Sequence, residues 1–113
     1  MATYDQLPVY KTSYDLLLEL FQCIKHCSRE YKYTVGENVK TEVLLLVRSV
    51  FRANSVRQRS RHIQTAREHI ETVRIYVRLL KDLRQISTET LVSLNQKIES
   101  INKQLVAWQK SSQ

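Results

Sequence analysis

Apolar residues recur along this chain at alternating intervals of three and four, the spacing of a helical face and not the alternation of a strand. Four stripes read directly. The first is Tyr10, Tyr14, Leu17, Phe21, Ile24 and Tyr31, with Ser28 at the step between; the second is Val39, Val43, Leu46 and Val50. The third is Ile63, Ala66, Ile70, Val73, Val77 and Leu80, and the fourth is Leu91, Leu94, Ile98, Ile101, Leu105 and Trp108. Each suits an apolar seam between packed helices. Helices are predicted near 8–30, 35–53, 60–84 and 88–109.

The boundaries carry their own chemistry. Pro8 suits a first turn, where its missing N–H is not needed. Thr34-Val35-Gly36-Glu37 reads as a capping box, with Thr34 as N-cap and Glu37 reaching back. Ser87 is an N-cap for the fourth helix, which puts Ile86 and Leu91 at the hydrophobic-staple positions. Polar Asn54 to Arg61 separates the second helix from the third. Short connections favour antiparallel neighbours. The expected fold is therefore all-α, an up-and-down antiparallel four-helix bundle forming one domain over 1–113.

Two helices carry more apolar surface than one seam requires. Leu16, Leu20, Cys23 and Cys27 form a second stripe beside the first, and Tyr76, Leu79 and Leu83 flank the third. Either the core faces are wide or these flanks are subunit contacts. A homo-oligomer is the expectation.

Composition narrows the function. Gly and Pro occur once each, so Gly-rich phosphate loops and strained nucleophile turns lack their material. No apolar run is long enough to span a membrane. The first ten residues show no basic segment leading into an apolar one, so the expected location is cytoplasmic. Cys23 and Cys27 lie one helical turn apart, which does not suit an unstrained disulfide. With His26 they do not make the paired spacings of a zinc site, and His62 and His69 are distant. Carboxylates are isolated among Lys and Arg, and the E-x-x-H pairs of di-iron bundles are missing. No enzyme, metal, cofactor or small-molecule substrate is expected.

Charge adds the positive signal. Between Leu45 and Gln85 lie ten basic residues: Arg48, Arg52, Arg57, Arg59, Arg61, Arg67, Arg74, Arg78, Lys81 and Arg84. Three acids, Glu68, Glu71 and Asp82, share the stretch, so the chain's entire net charge of +7 falls there. Arg is the side chain best suited to bidentate contacts with phosphate or carboxylate. Arg48/Arg52, Arg57/Arg61 and Arg74/Arg78 are each four apart, a mildly repulsive spacing on a helix. Either this is a solvated face with intramolecular pairs, or an anionic partner neutralises it, nucleic acid first among candidates.

Several runs resemble a known family. Leu7-Pro8-Val9-Tyr10-Lys11, Tyr14-Asp15-Leu16-Leu17 and Arg29-Glu30-Tyr31-Lys32-Tyr33-Thr34-Val35-Gly36-Glu37 are similar to the bacterial four-helix bundles of 23S ribosomal RNA intervening sequences. That family includes the accessory variability determinant (Avd) proteins of diversity-generating retroelements. Val73-Arg74-Ile75-Tyr76-Val77-Arg78-Leu79-Leu80 resembles the third-helix run of the Avd branch, and Leu105-Val106-Ala107-Trp108 the family's C-terminal Trp segment. Ser28 stands where many relatives have Pro. Phe51-Arg52-Ala53-Asn54 lacks the Asn-x-x-Glu-Gly run of the wider family, which favours the Avd branch. The resemblance implies a homopentameric barrel with a basic surface. It also implies partners: the retroelement's reverse transcriptase and its template RNA or related nucleic acid, RNA or DNA. The protein would then support mutagenic cDNA synthesis without doing the chemistry, with Arg74 and Arg78 best matching basic family positions. The alternative is an oligomeric module of the intervening-sequence type that docks an acidic protein.

Overall fold

Pro8 occupies the first turn of the first helix, as its missing N–H allows, and four more helices follow. They are α1 (Pro8–Lys25), the single-turn α2 (Arg29–Lys32), α3 (Val35–Ser55), α4 (Ser60–Asp82) and α5 (Thr88–Ser111). The structure is a computed structural model describing residue 3 and residues 6–112; no strand occurs among them. The four long helices correspond to the four apolar stripes.

α1 packs on α3 and α5, and α4 packs on the same two, so the four form a square with α1 diagonal to α4. Side-chain pairs give the direction. Glu19 meets Lys97 and Thr12 meets Gln104 across α1 and α5, whereas Arg74 meets Glu99 and Arg67 meets Gln109 across α4 and α5. Both pairings run antiparallel. With the short α3–α4 and α4–α5 turns, the result is an up-and-down bundle 43 Å long and about 22 Å across.

The stripes of α3 and α4 are fully buried, and so are Leu94, Ile98, Ile101 and Leu105 of α5. α1 departs from the expectation. Its core side is Val9, Ser13, Leu16, Leu20 and Ile24, continued by Cys27, while Tyr14 is 44% and Phe21 37% exposed. The expected stripe and its neighbour lie about one residue apart, roughly 100° around the helix. Both have helical period, and the aliphatic one fills the narrow axis while the tyrosines keep their hydroxyls at the wet edge.

Three ends also differ. α1 stops at Lys25 and not near residue 30, because Ser28 is extended and its N–H is held by Gln85 Oε1 at 2.8 Å, from the α4–α5 turn. Thr34 does not form the capping box: its hydroxyl donates back to the Glu30 carbonyl at 2.7 Å, and Glu37 pairs with Lys40. Ser87 does cap α5, accepting from the Thr90 N–H at 3.1 Å. α4 closes with a Schellman turn, Gln85 N–H to Leu80 and Arg84 N–H to Lys81, which puts Arg84 at φ 61° where glycine is usual.

Gly36 explains the tight α1–α3 junction. A Cβ there would lie 2.8 Å from the Ile24 Cγ2 methyl and 3.1 Å from the Tyr31 carbonyl oxygen. Ala would gain about 1 kcal/mol of helix propensity and meet an overpacking cost of about 1–3 kcal/mol. Gly36→Ala is therefore expected to lose about 1 kcal/mol in urea unfolding. Arg84→Gly should gain about 0.5–1 kcal/mol, because the left-handed conformation penalises a Cβ more than glycine's unfolded entropy costs. A stability gain for the first or a loss for the second would refute these assignments.

Candidate nucleic-acid and partner surface

The hairpin of α3 and α4 distributes the ten basic residues along the length of the bundle. Arg48 and Arg52 lie on the last turns of α3, Arg57 and Arg59 in the turn, and Arg61 on the first turn of α4. Lys81 and Arg84 sit at the far end. At 1.5 Å per residue, Arg61 and Lys81 are about 30 Å apart along α4. The basic stretch is contiguous in the chain but forms two separate groups in space, so the ten cannot converge on one small ligand.

The groups differ in how their charge is held. Arg74 donates through Nε to Glu71 at 3.2 Å and through Nη1 to Glu99 of α5. The Glu99 hydrogen bond, followed by Glu71, raises its affinity for the proton above the usual guanidinium range despite partial burial. Arg78 meets both oxygens of Asp82 at 3.2 Å, but its side chain is 74% exposed, so that pair contributes a few tenths of a kcal/mol. Arg67 donates to Gln109 Oε1 at 2.7 Å. Arg59 lies over the Trp108 ring, 5.8 Å from its centre.

Arg48, Arg52, Arg57 and Arg61 are exposed and have no ion-pair partner among the described residues. Arg57 and Arg61 line a concavity of about 410 Å³ with Gln58, Ser60, His62 and Ser112. Antiparallel closure brings Lys110, at the end of α5, and Lys11, on the first turn of α1, to this same end. Neither belonged to the basic stretch, and pairing of distant helix ends is what delivers them. Among the described residues, the acids nearest this end on each helix are Asp15, Glu42, Glu68 and Glu99. Two helix N-termini and two C-termini meet at each end, so the dipoles largely cancel and side-chain charge sets the potential.

Buried polar groups fix this end. Gln109, 9% exposed, accepts from Arg67 and donates to the Ser60 carbonyl at 3.3 Å and to Gln64 Oε1 at 3.1 Å. It therefore ties the last turns of α5 to the first turns of α4. Nothing in the periodicity singled it out, since Gln109 follows the Trp108 at which the stripe ended.

The other candidates are structural in their contacts. Cys27 is buried and Cys23 half-buried; burial first, then the nearby Glu19, pushes the Cys23 thiol up to about 11, away from the reactive thiolate. His26 is exposed, and His69 Nδ1 lies 2.7 Å from Glu42 Oε2 between α3 and α4. No group of three or more His, Cys, Asp or Glu among the described residues is placed to hold a metal ion. Among the described residues, no helix is long and apolar enough to cross a membrane.

Apolar side chains are exposed on two opposite edges of the square. Tyr14, Leu18 and Phe21 of α1 adjoin Leu44 and Phe51 of α3, with Lys40 of α3 over the Phe21 ring. Across the bundle, Ile75 of α4 (68% exposed) and Val92 of α5 are exposed on the α4–α5 side. Leu91 and Asn95 line a groove there with Arg74, Ile75 and Arg78. Of the flank Tyr76, Leu79 and Leu83, Tyr76 is packed against the core, as a wide core face requires, and Leu79 is exposed.

The chain is thus an all-α bundle with a polar, cationic end and apolar side chains exposed on two edges. The chain matches the bAvd-like family model over residues 8–112 and belongs to that family. No curated protein matches it. The family membership agrees with the resemblance drawn from the helical runs and places the chain with Avd-type accessory proteins.

Gln109→Ala removes the acceptor of Arg67 and the donor to Ser60, and should cost about 1–2 kcal/mol in chemical unfolding. The fluorescence of Trp108, the single Trp, reports the same end of the bundle. Unchanged stability and unchanged emission would show that the network does not hold α5 to α4.

Proposed function

We propose that this protein is a non-catalytic accessory scaffold of a diversity-generating retroelement. In this reading it binds reverse transcriptase and template RNA through its basic surface and supports mutagenic cDNA synthesis in the cytoplasm. Membership in the bAvd-like family supports the accessory role. The observation that carries nucleic-acid binding is the end bearing Arg48, Arg52, Arg57 and Arg61, where described side chains supply no neutralising carboxylate. Mutual repulsion tolerated by a folded protein is relieved when a polyanion binds.

The working unit in this proposal is a homo-oligomeric, pentameric barrel. Apolar patches on opposite edges of one protomer favour head-to-tail contacts, which close into a ring, over a twofold dimer built from one repeated patch. The family resemblance, not the geometry, suggests the number five. Leu18→Glu on one edge and Ile75→Glu on the other are each expected to convert the oligomer to monomer in light scattering while leaving helix content intact. A wild-type monomer would overturn the barrel.

RNA affinity should fall roughly 10³-fold or more between about 50 and 200 mM salt if several phosphates are contacted. Affinity that stays flat would remove nucleic acid from the proposal. The second reading, docking of an acidic protein, draws on the exposed Ile75 between Arg74 and Arg78. Retention of reverse transcriptase after complete nuclease digestion, together with no RNA binding by the purified protein, would favour it.

A further inference from the structure

The two basic groups meet different surroundings. Around Arg74 and Arg78 the charge is already matched by Glu71, Glu99 and Asp82, and the neighbouring surface is apolar, with Ile75, Leu79 and Val92 exposed. Such a surface suits a protein contact, because few counterions remain to be released from it. The α3–α4 end is the reverse. Arg57 and Arg61 are flanked by Gln58, Ser60 and His62 around an open concavity, Arg52 precedes them at the close of α3, and Lys110 arrives from α5. None of these cations has an ion-pair partner among the described residues.

Guanidinium groups suit this task, since each presents paired N–H donors matched to phosphate oxygens. The concavity, about 410 Å³, is lined by polar and cationic side chains with no Phe, Tyr or Trp face to stack a base, and it has room for a phosphodiester and its sugar. Rigidity comes from beneath: the Gln109 network anchors Ser60 and Arg67, and Arg59 is laid over Trp108 instead of pointing outward. The surface is thus presented on a fixed end, not on a loose loop.

We infer that the α3–α4 end is the RNA-backbone site, read through Arg52, Arg57 and Arg61, and that Arg74 and Arg78 belong to a separate protein-contacting edge about 20–30 Å away along α4. This rests on the nucleic-acid reading above and divides it: the residues that the family resemblance favours are not the ones that hold phosphate. Contacts of this kind are sequence-tolerant, because they address the backbone and not base edges. One RNA strand can then lie across the end while the apolar edge of the same protomer contacts the next copy in the ring.

The test measures binding of a labelled single-stranded RNA of mixed sequence to the full chain by fluorescence anisotropy across a salt series. Removing two phosphate contacts lowers the slope of log affinity against log salt by about 1.4, roughly 25-fold in affinity at about 0.1 M salt. Arg57→Ala with Arg61→Ala is expected to show that loss. Arg57→Lys with Arg61→Lys should retain the slope, and Arg74→Ala with Arg78→Ala should leave it unchanged. Circular dichroism and Trp108 emission verify that each variant is folded. Wild-type RNA binding whose slope falls with Arg74 and Arg78, or falls equally with both pairs, overturns the division and leaves the accessory reading standing. Absence of salt-dependent RNA binding by the wild type overturns both. Equal affinity for an acidic polypeptide of matched charge overturns the assignment to RNA.

Discussion

Burial of one apolar stripe from each of four antiparallel helices along a shared axis is the constraint on which the other features depend. α3 and α4 give that axis branched and small side chains with zero exposure, Val39 to Ala53 and Ile63 to Leu80. Because the axis is narrow, α1 turns its aliphatic side inward and leaves two aromatics outside. Ser13 is carried into the core with this rotation, and its buried hydroxyl has no hydrogen-bond partner among the described residues. The energy of burying Leu16, Leu20 and Ile24 outweighs that local cost.

Charge is then sorted by what the core leaves over. Along the sides of the bundle, nitrogen-bearing side chains find carboxylates on neighbouring helices: Arg74 with Glu99, Lys97 with Glu19, and His69 beside Glu42. The first two links secure α5 against α4 and α1, and the third secures α3 against α4. At the α3–α4 end the helices run out, and the four lines of acids stop a turn or more short of it. A chain of modest overall charge thereby acquires one end that is strongly cationic and sides that are nearly balanced. Division of labour between an RNA-facing end and a protein-facing edge is the functional reading of that sorting.

The turns that set this geometry draw on distant residues. Gln85 caps the exposed N–H of Ser28, linking the α4–α5 turn to the break after α1. Gln109 performs a similar service at the opposite end, between α5 and α4. Gln85 accepts from an N–H that the start of α2 leaves without an intrahelical partner, whereas Gln109 uses both donor and acceptor to join Ser60, Gln64 and Arg67 of α4. Together they fix how the ends are presented, while Gly36 sets how closely α1 and α3 approach.

The four long helices and most core positions were legible in the sequence, because period, capping by Ser87 and the near absence of Gly and Pro are local properties; the single-turn α2 was not. The family was legible too, through runs such as Val73 to Leu80. The choice between two adjacent stripes on α1 was not, since both have the helical period and only the neighbouring helices select between them. Nor could the chain order reveal that Lys11 and Lys110 join Arg57 and Arg61, or that Glu99 neutralises Arg74 from 25 residues away. Local sequence determines which faces are apolar and where helices begin. Tertiary packing decides which charges meet, because that depends on antiparallel closure between segments far apart in the chain.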